Sequence, residues 1–188
     1  MVVIFMNSFV QLNPARIDSI LDAGLRLALA YGFRGTSMEA IAKEAGVAKA
    51  TLYKYFPNKE AIFTTITASL FDEMKALVEN NLSMNIDIDE KIANALIAIH
   101  KNLFHLIDGS PHSADILSQK AFSPSKFTKE FELWLQNTIF AILENAGHEE
   151  PQIYAQVLIA SSEGISRSAI SANQIELAIR LVVNKILV

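Results

Sequence analysis

Residues Thr36 to Glu60 read TSMEAIAKEAGVAKATLYKYFPNKE, and the way this stretch must pack decides the fold. Two short helical runs, one from Met38 and one over Lys49 to Phe56, flank Gly46. Ile41, Ala45, Val47, Leu52 and Tyr55 supply apolar contacts between them, and Ala42 is small where the two runs approach. Gly46 takes the left-handed conformation that the turn demands at no steric cost. Thr36, with Glu39 three residues later, forms a capping-box signature for the first run. Pro57 stops the second, and Asn58 can cap a longer helix beyond it. This is a helix-turn-helix pattern, although short helix pairs with a glycine turn also occur in ordinary bundles.

The second run turns Lys49, Ala50, Thr51, Tyr53 and Lys54 away from Leu52 and Phe56. That surface of charge, hydroxyls and phenol suits phosphates and base edges. The net charge of the whole chain, −4, reads against a polyanionic partner until the chain is divided. Pro14 to Glu60 holds seven Lys or Arg against five Asp or Glu, whereas Ala61 to Val188 holds nine against fifteen. Only charge near the phosphates counts in binding them, so the mild basic bias falls where it is useful.

Working outward, the 188 residues are 51% hydrophobic, enough to bury a core without cross-links, and cysteine is absent. That removes disulfides, thiol nucleophiles and Cys-containing zinc sites, and it suits a reducing compartment, so a cytoplasmic protein is expected. Met1 to Val10 is apolar but lacks a basic flank and a small-residue cleavage site, so it makes a poor signal peptide. Residues 1–13 are read as a disordered extension, with Met1 or Met6 as the start. No run reaches the roughly 18 uncharged apolar residues of a membrane span.

Helical spacing dominates throughout and no stretch alternates with period two, which makes the chain all-α. Punctuation marks about nine helices. The first runs from Pro14, capped by Asn13, to Tyr31, with Gly32 as its stop. The fourth extends from Asn58 to about Asn80, with Ile62, Phe63, Ile66, Leu70, Met74 and Leu77 at helical spacing. The rest fall at about Asp89–Ile107, Pro111–Phe122, Pro124–Ala146, Pro151–Ser171 and Gln174–Leu187.

The run Thr36 to Val47, followed by Thr51 to Glu60, closely resembles the DNA-binding domain of the TetR family of transcriptional regulators. The match covers about Pro14 to Phe63; the remainder agrees only in helix number and length. The resemblance implies an N-terminal three-helix DNA-binding domain over 14–60 and a C-terminal effector-binding and dimerisation domain over 61–188. It implies that the Lys49–Phe56 helix enters the major groove of a palindromic double-stranded operator. Ser37 is then expected to bond a phosphate, and Lys49, Ala50, Thr51 and Lys54 to lie nearest bases and flanking phosphates. Tyr53 and Tyr55 touch backbone phosphates and Lys59 anchors another. Tyr55 also fits an apolar position of the motif, and Lys59 a solvated helix-start charge. The chain departs from the family pattern at Ala48, which forgoes a serine cap worth about 1 kcal/mol, and at Ala50, which replaces a glycine.

Beyond Ala61, aromatic and aliphatic residues are those of an ordinary core. The resemblance implies that some enclose a pocket for a small apolar or aromatic effector, for which His100, Leu103, Phe104, Phe131, Trp134 and Tyr154 are the candidates. His100 and His105, five apart on one helix, do not share a face, and no nearby carboxylate completes a metal set. His100 reads equally as a satisfied core histidine. Ser161, Ser162 and Ser166 lack a local His and Asp arrangement, so neither catalysis nor a cofactor is called for. Val157, Ser161, Gly164 and Ser168, with Ile179 and Val183 on the last helix, match where the family pairs two subunits as a four-helix bundle. Burial within one subunit is the alternative. The resulting reading is a homodimeric repressor released from its operator by an effector. The rivals are a helical ligand-binding or scaffold protein that no longer binds DNA, and a small all-α enzyme.

Overall fold

The chain enters its first helix, α1 (Pro14–Gly35), through a cap set by two neighbouring residues. The Asn13 side chain accepts the Ala15 N–H at 3.1 Å, and Pro14 fills the first helical position, where no N–H is needed. In this computed structural model, which describes residues 13–112 and 125–187, the expected extension lies almost entirely outside the described residues. Gly32 breaks α1 as its position implied. Its φ of 73° and ψ of 163° are essentially reserved for glycine, and a short turn continues past it to Gly35.

The cap of α2 (Met38–Glu44) corrects the expected capping box by one residue. Ser37, not Thr36, is the N-cap, and its Oγ accepts the Ala40 N–H at 3.1 Å. Thr36 is buried and donates its hydroxyl to the Gly32 carbonyl at 2.9 Å, so the kink in α1 takes the side chain that would have capped α2. Glu39 therefore falls at the second helical position, and its carboxylate is used elsewhere. At the far end, Val47 N–H reaches the Ala42 carbonyl at 2.9 Å and Gly46 N–H the Lys43 carbonyl at 3.2 Å. This double closure requires the left-handed φ of 67° that Gly46 adopts.

The turn delivers the chain to α3 (Lys49–Tyr55), which starts at Ala48 without a side-chain cap. Asn58 then caps α4 (Lys59–Leu82) by accepting the Ala61 N–H at 2.8 Å. Next come α5 (Ile88–Ile107), α6 (Ser125–Asn145), α7 (Pro151–Ser168) and α8 (Ala172–Leu187). Among the described residues these are eight helices with no strand. The expected Pro111–Phe122 helix lies mostly outside the described residues; Pro111 and His112 are in a turn.

Two apolar cores form. Ile20, Ala28, Ile41, Leu52, Ile62, Phe63 and Ile66 knit α1 to α4. Val78, Ile92, Leu96, Ile139, Leu143, Leu158, Ile175 and Ile179 join the tail of α4 to α5–α8. Among the described residues only α4 contributes to both, so it is a strut between them. Each fully buried Leu or Ile stabilises its core by roughly 1.5–3 kcal/mol. α5 is lined with buried residues for most of its length, as its near-continuous apolar character required. A second bridge follows α5, where Ser110 Oγ donates to the Leu29 carbonyl of α1 at 2.7 Å. His112 packs so closely that a Cβ on Gly32 would lie 3.1 Å from its ring.

Candidate nucleic-acid interface

On α3, Leu52 is completely buried, which fixes the helix by its inner face and turns Lys49, Ala50, Tyr53 and Lys54 to solvent. Tyr53 is 45% exposed and belongs to neither apolar core. Thr51 is half-buried at the edge of the same face. Ser37 is exposed at the head of α2; its Oγ lone pair takes the Ala40 N–H, which leaves the hydroxyl proton free to donate. Lys54 has no ion pair with a described residue, so its charge is uncompensated locally.

Three expected contacts have partners within the protein. Tyr55 is half-buried against the N-terminal core, with its hydroxyl oxygen 3.4 Å from Asn13 N–H. Lys59 donates from Nζ to the carbonyls of Phe33 at 2.7 Å and Thr36 at 2.8 Å, and sits 4.3 Å from the centre of the Phe33 ring. The ammonium thus ties the end of α1 to the start of α4, and the ring face adds a cation–π attraction. Lys49 donates from Nζ to the Glu39 carboxylate. That bond, with the attraction between the charges, holds Glu39 below and Lys49 above their ordinary pKa values. Ten residues separate the pair across a turn, so helical spacing rules could not reveal it.

Two short helices set by a glycine turn, the second displaying Lys and Tyr outward, coincide with a known family. Residues 20–66 match the family model described as bacterial regulatory proteins, tetR family. Residues 20–66 are similar to that family's DNA-binding region. It is 35% identical over 80 residues to YhgD, an uncharacterized HTH-type transcriptional regulator of Bacillus subtilis, covering 43% of this chain and 42% of that protein. The fatty acid metabolism regulator protein of Bacillus subtilis is 31% identical over 100 residues, 53% of this chain and 49% of the relative. The chain thus spans less than half the length of these curated relatives. A crystal structure of a transcriptional regulator from Aquifex aeolicus superposes with a TM-score of 0.73 at 18% identity, over 92% of this chain and 99% of that one. At that identity the likeness is one of fold.

In the C-terminal part of the chain, of the six expected effector-pocket residues Phe131 is in the core, and Phe104, Trp134 and Tyr154 pack against it. Phe131 and Trp134 lie together, ring centres 5.7 Å apart, with Phe71 of α4 at 5.3 Å from Phe131 and the Lys75 ammonium over the indole at 5.7 Å. Tyr154, in the first turn of α7, is edge-on to His148, just past the end of α6, at 5.9 Å. Leu103 and Phe104 are half-buried near the end of α5. Two shallow clefts, about 220 and 200 Å³, are lined chiefly by Leu82, Ile88 and Ile142, and by Leu21, Leu25, Ile66 and Leu70; none of the six lines either.

His100 is 8% exposed and joins α5 to α7. Ser162 donates its hydroxyl to the Ile159 carbonyl at 2.8 Å, so its oxygen is the acceptor for His100 Nε2–H at 3.0 Å. This places the imidazole proton on Nε2 and leaves Nδ1 a buried acceptor without a hydrogen-bond partner among the described residues. Burial pushes His100 down to about 4, and it is neutral at physiological pH.

The expected dimer face needs one correction. Ile179 and Val183 are each 1% exposed and lie in the chain's own core, because the 175–179–183 stripe of α8 packs onto the centre of that core. The residues that remain outside are Leu177 and Leu181, 62% and 60% exposed, which sequence reasoning passed over. On α7, Val157, Gly164 and Ser168 are exposed and Ser161 half-buried, with Ile153 exposed on the same face.

Proposed function

We propose that this chain is a cytoplasmic, homodimeric DNA-binding transcriptional regulator, a repressor released from a palindromic operator by a small apolar or aromatic effector. The observation that carries this reading is the outward face of α3, where Ala50, Tyr53 and Lys54 are exposed on a helix otherwise fixed by buried Leu52. α3 enters the major groove; Lys49, Ala50, Thr51 and Lys54 meet base edges and flanking phosphates, and Ser37 and Tyr53 bond the backbone. Tyr55 and Lys59 work indirectly: they hold α1 against α3 and α4, so the backbone contacts keep their register.

Residues 14–60 form the DNA-binding domain and 61–188 the effector-binding and dimerisation domain in this reading. Exposed Ile153, Val157 and Gly164 of α7, with Leu177 and Leu181 of α8, supply the two-fold face. A symmetric pair places two recognition helices roughly 34–36 Å apart, one turn of B-DNA. The effector alters that spacing through α4, the strut shared by the two cores, and through the Ser110–Leu29 bridge onto α1. Linkage then requires operator to weaken effector binding by the same factor with which effector weakens operator binding, a coupling free energy of about 1–3 kcal/mol. No step calls for catalysis, a metal or a cofactor.

The test is recovery of bound DNA from a pool of random duplexes. The expected result is one enriched palindrome with half-site centres about one helical turn apart. Recovery of no preferred sequence, with no salt-dependent retention of any duplex, refutes the function.

A further inference from the structure

On the surface offered to DNA, one acidic side chain, in the first turn of α2, lies outside both cores. Glu39 sits at the second position of α2, two residues after Ser37, and accepts a hydrogen bond from Lys49, the first residue of α3. Both side chains are largely exposed, 60% and 56%, so the core does not depend on the pair. The position of Lys49 is electrostatically awkward. α3 lacks a side-chain cap, and a cation at a helix start faces the positive end of the dipole. Glu39 neutralises that cation. On a surface approaching a polyanion, however, the carboxylate repels phosphates and cancels what Lys49 would contribute to binding every sequence alike.

We propose that Glu39 is a specificity-determining residue, which commits Lys49 to reading bases rather than neutralising phosphates. An ammonium has three donors, and Glu39 occupies one. The remaining two can reach guanine O6 and N7 in the major groove while the ion pair stays closed. A neutral pair suits neutral base edges. A phosphate, by contrast, meets a lysine whose charge is already met and a carboxylate that repels it. Glu39 thereby lowers affinity for duplexes in general and spares the sequence that offers acceptors opposite Lys49. This rests on the DNA-binding reading above.

The experiment compares the wild-type chain with Glu39→Gln, Lys49→Met and the double variant. Each is titrated over a range of salt with the selected palindrome and with a scrambled duplex of equal length. Glu39→Gln is expected to bind the scrambled duplex more tightly, with a salt slope steeper by up to about 0.9 per site. Its palindrome-to-scrambled ratio should fall by a factor on the order of ten. In the Lys49→Met background the same change should leave slope and ratio near those of Lys49→Met alone. An unchanged ratio in Glu39→Gln overturns the proposal, as does an equal shift in both backgrounds, which would make Glu39 a diffuse charge. Wild-type protein that binds neither duplex overturns this proposal together with the function, whereas the other two outcomes leave the function standing.

Discussion

Replacing His100 by Leu should remove a defined part of the chain's acid sensitivity. The unfolded chain protonates this imidazole near 6.5, while the buried one is pushed down to about 4. Between those values the unfolded state binds a proton that the folded state refuses. Stability from His100 is therefore fully present above pH 6.5, declines as pH falls, and has no further to fall below about 4. The difference between those two values sets a ceiling of about 3 kcal/mol, of which about 2 kcal/mol is lost by pH 5. Glu163, raised by burial and by Glu132, acts in the opposite direction but does so equally in both proteins. At pH 7.5 the variant loses the bond to Ser162, about 1 kcal/mol, but also removes the unpartnered Nδ1; Ser162 keeps its bond to Ile159. Urea unfolding at pH 7.5 and pH 5, at one protein concentration, should show wild type losing about 2 kcal/mol more than His100→Leu. Equal losses would show that the buried imidazole is not what the acid titrates.

Two further substitutions probe the turn and the paired face. Gly46 has φ of 67° and nothing within 4 Å of where a Cβ would stand, so Gly46→Ala should cost only the left-handed penalty, about 1–2 kcal/mol in urea unfolding. Gly46→Val adds a β-branched side chain that resists this conformation and should abolish palindrome binding in a gel shift; wild-type affinity would mean that the turn is not the hinge of the motif. Leu181→Glu, on the exposed stripe of α8, should give a folded monomer in sedimentation, while Val183→Glu should fail to fold because Val183 is in the core. A Leu181→Glu protein that remains a dimer would move the two-fold face elsewhere.

The sequence by itself determined whatever is settled between near neighbours. The caps at Asn13 and Asn58, the break at Gly32, the Gly46 turn and the missing cap at Ala48 each depend on side chains and backbone a few residues apart, and all appear where expected. The division of α3 into a buried Leu52 side and a solvent side followed from spacing alone. Tertiary structure decided every question with two answers of equal local merit. Thr36 and Ser37 could each cap α2, and the carbonyl exposed by the Gly32 kink claimed Thr36. The apolar stripes 175–179–183 and 177–181 of α8 have the same helical spacing, and only the position of the surrounding helices tells which one is inside. Lys59 and Lys49 read as free cations until the end of α1, 26 residues away, and Glu39, ten residues away, arrive as partners. Long-range proximity is a property of the folded chain, because closing such a loop costs entropy that no local pattern encodes and only the assembled cores repay.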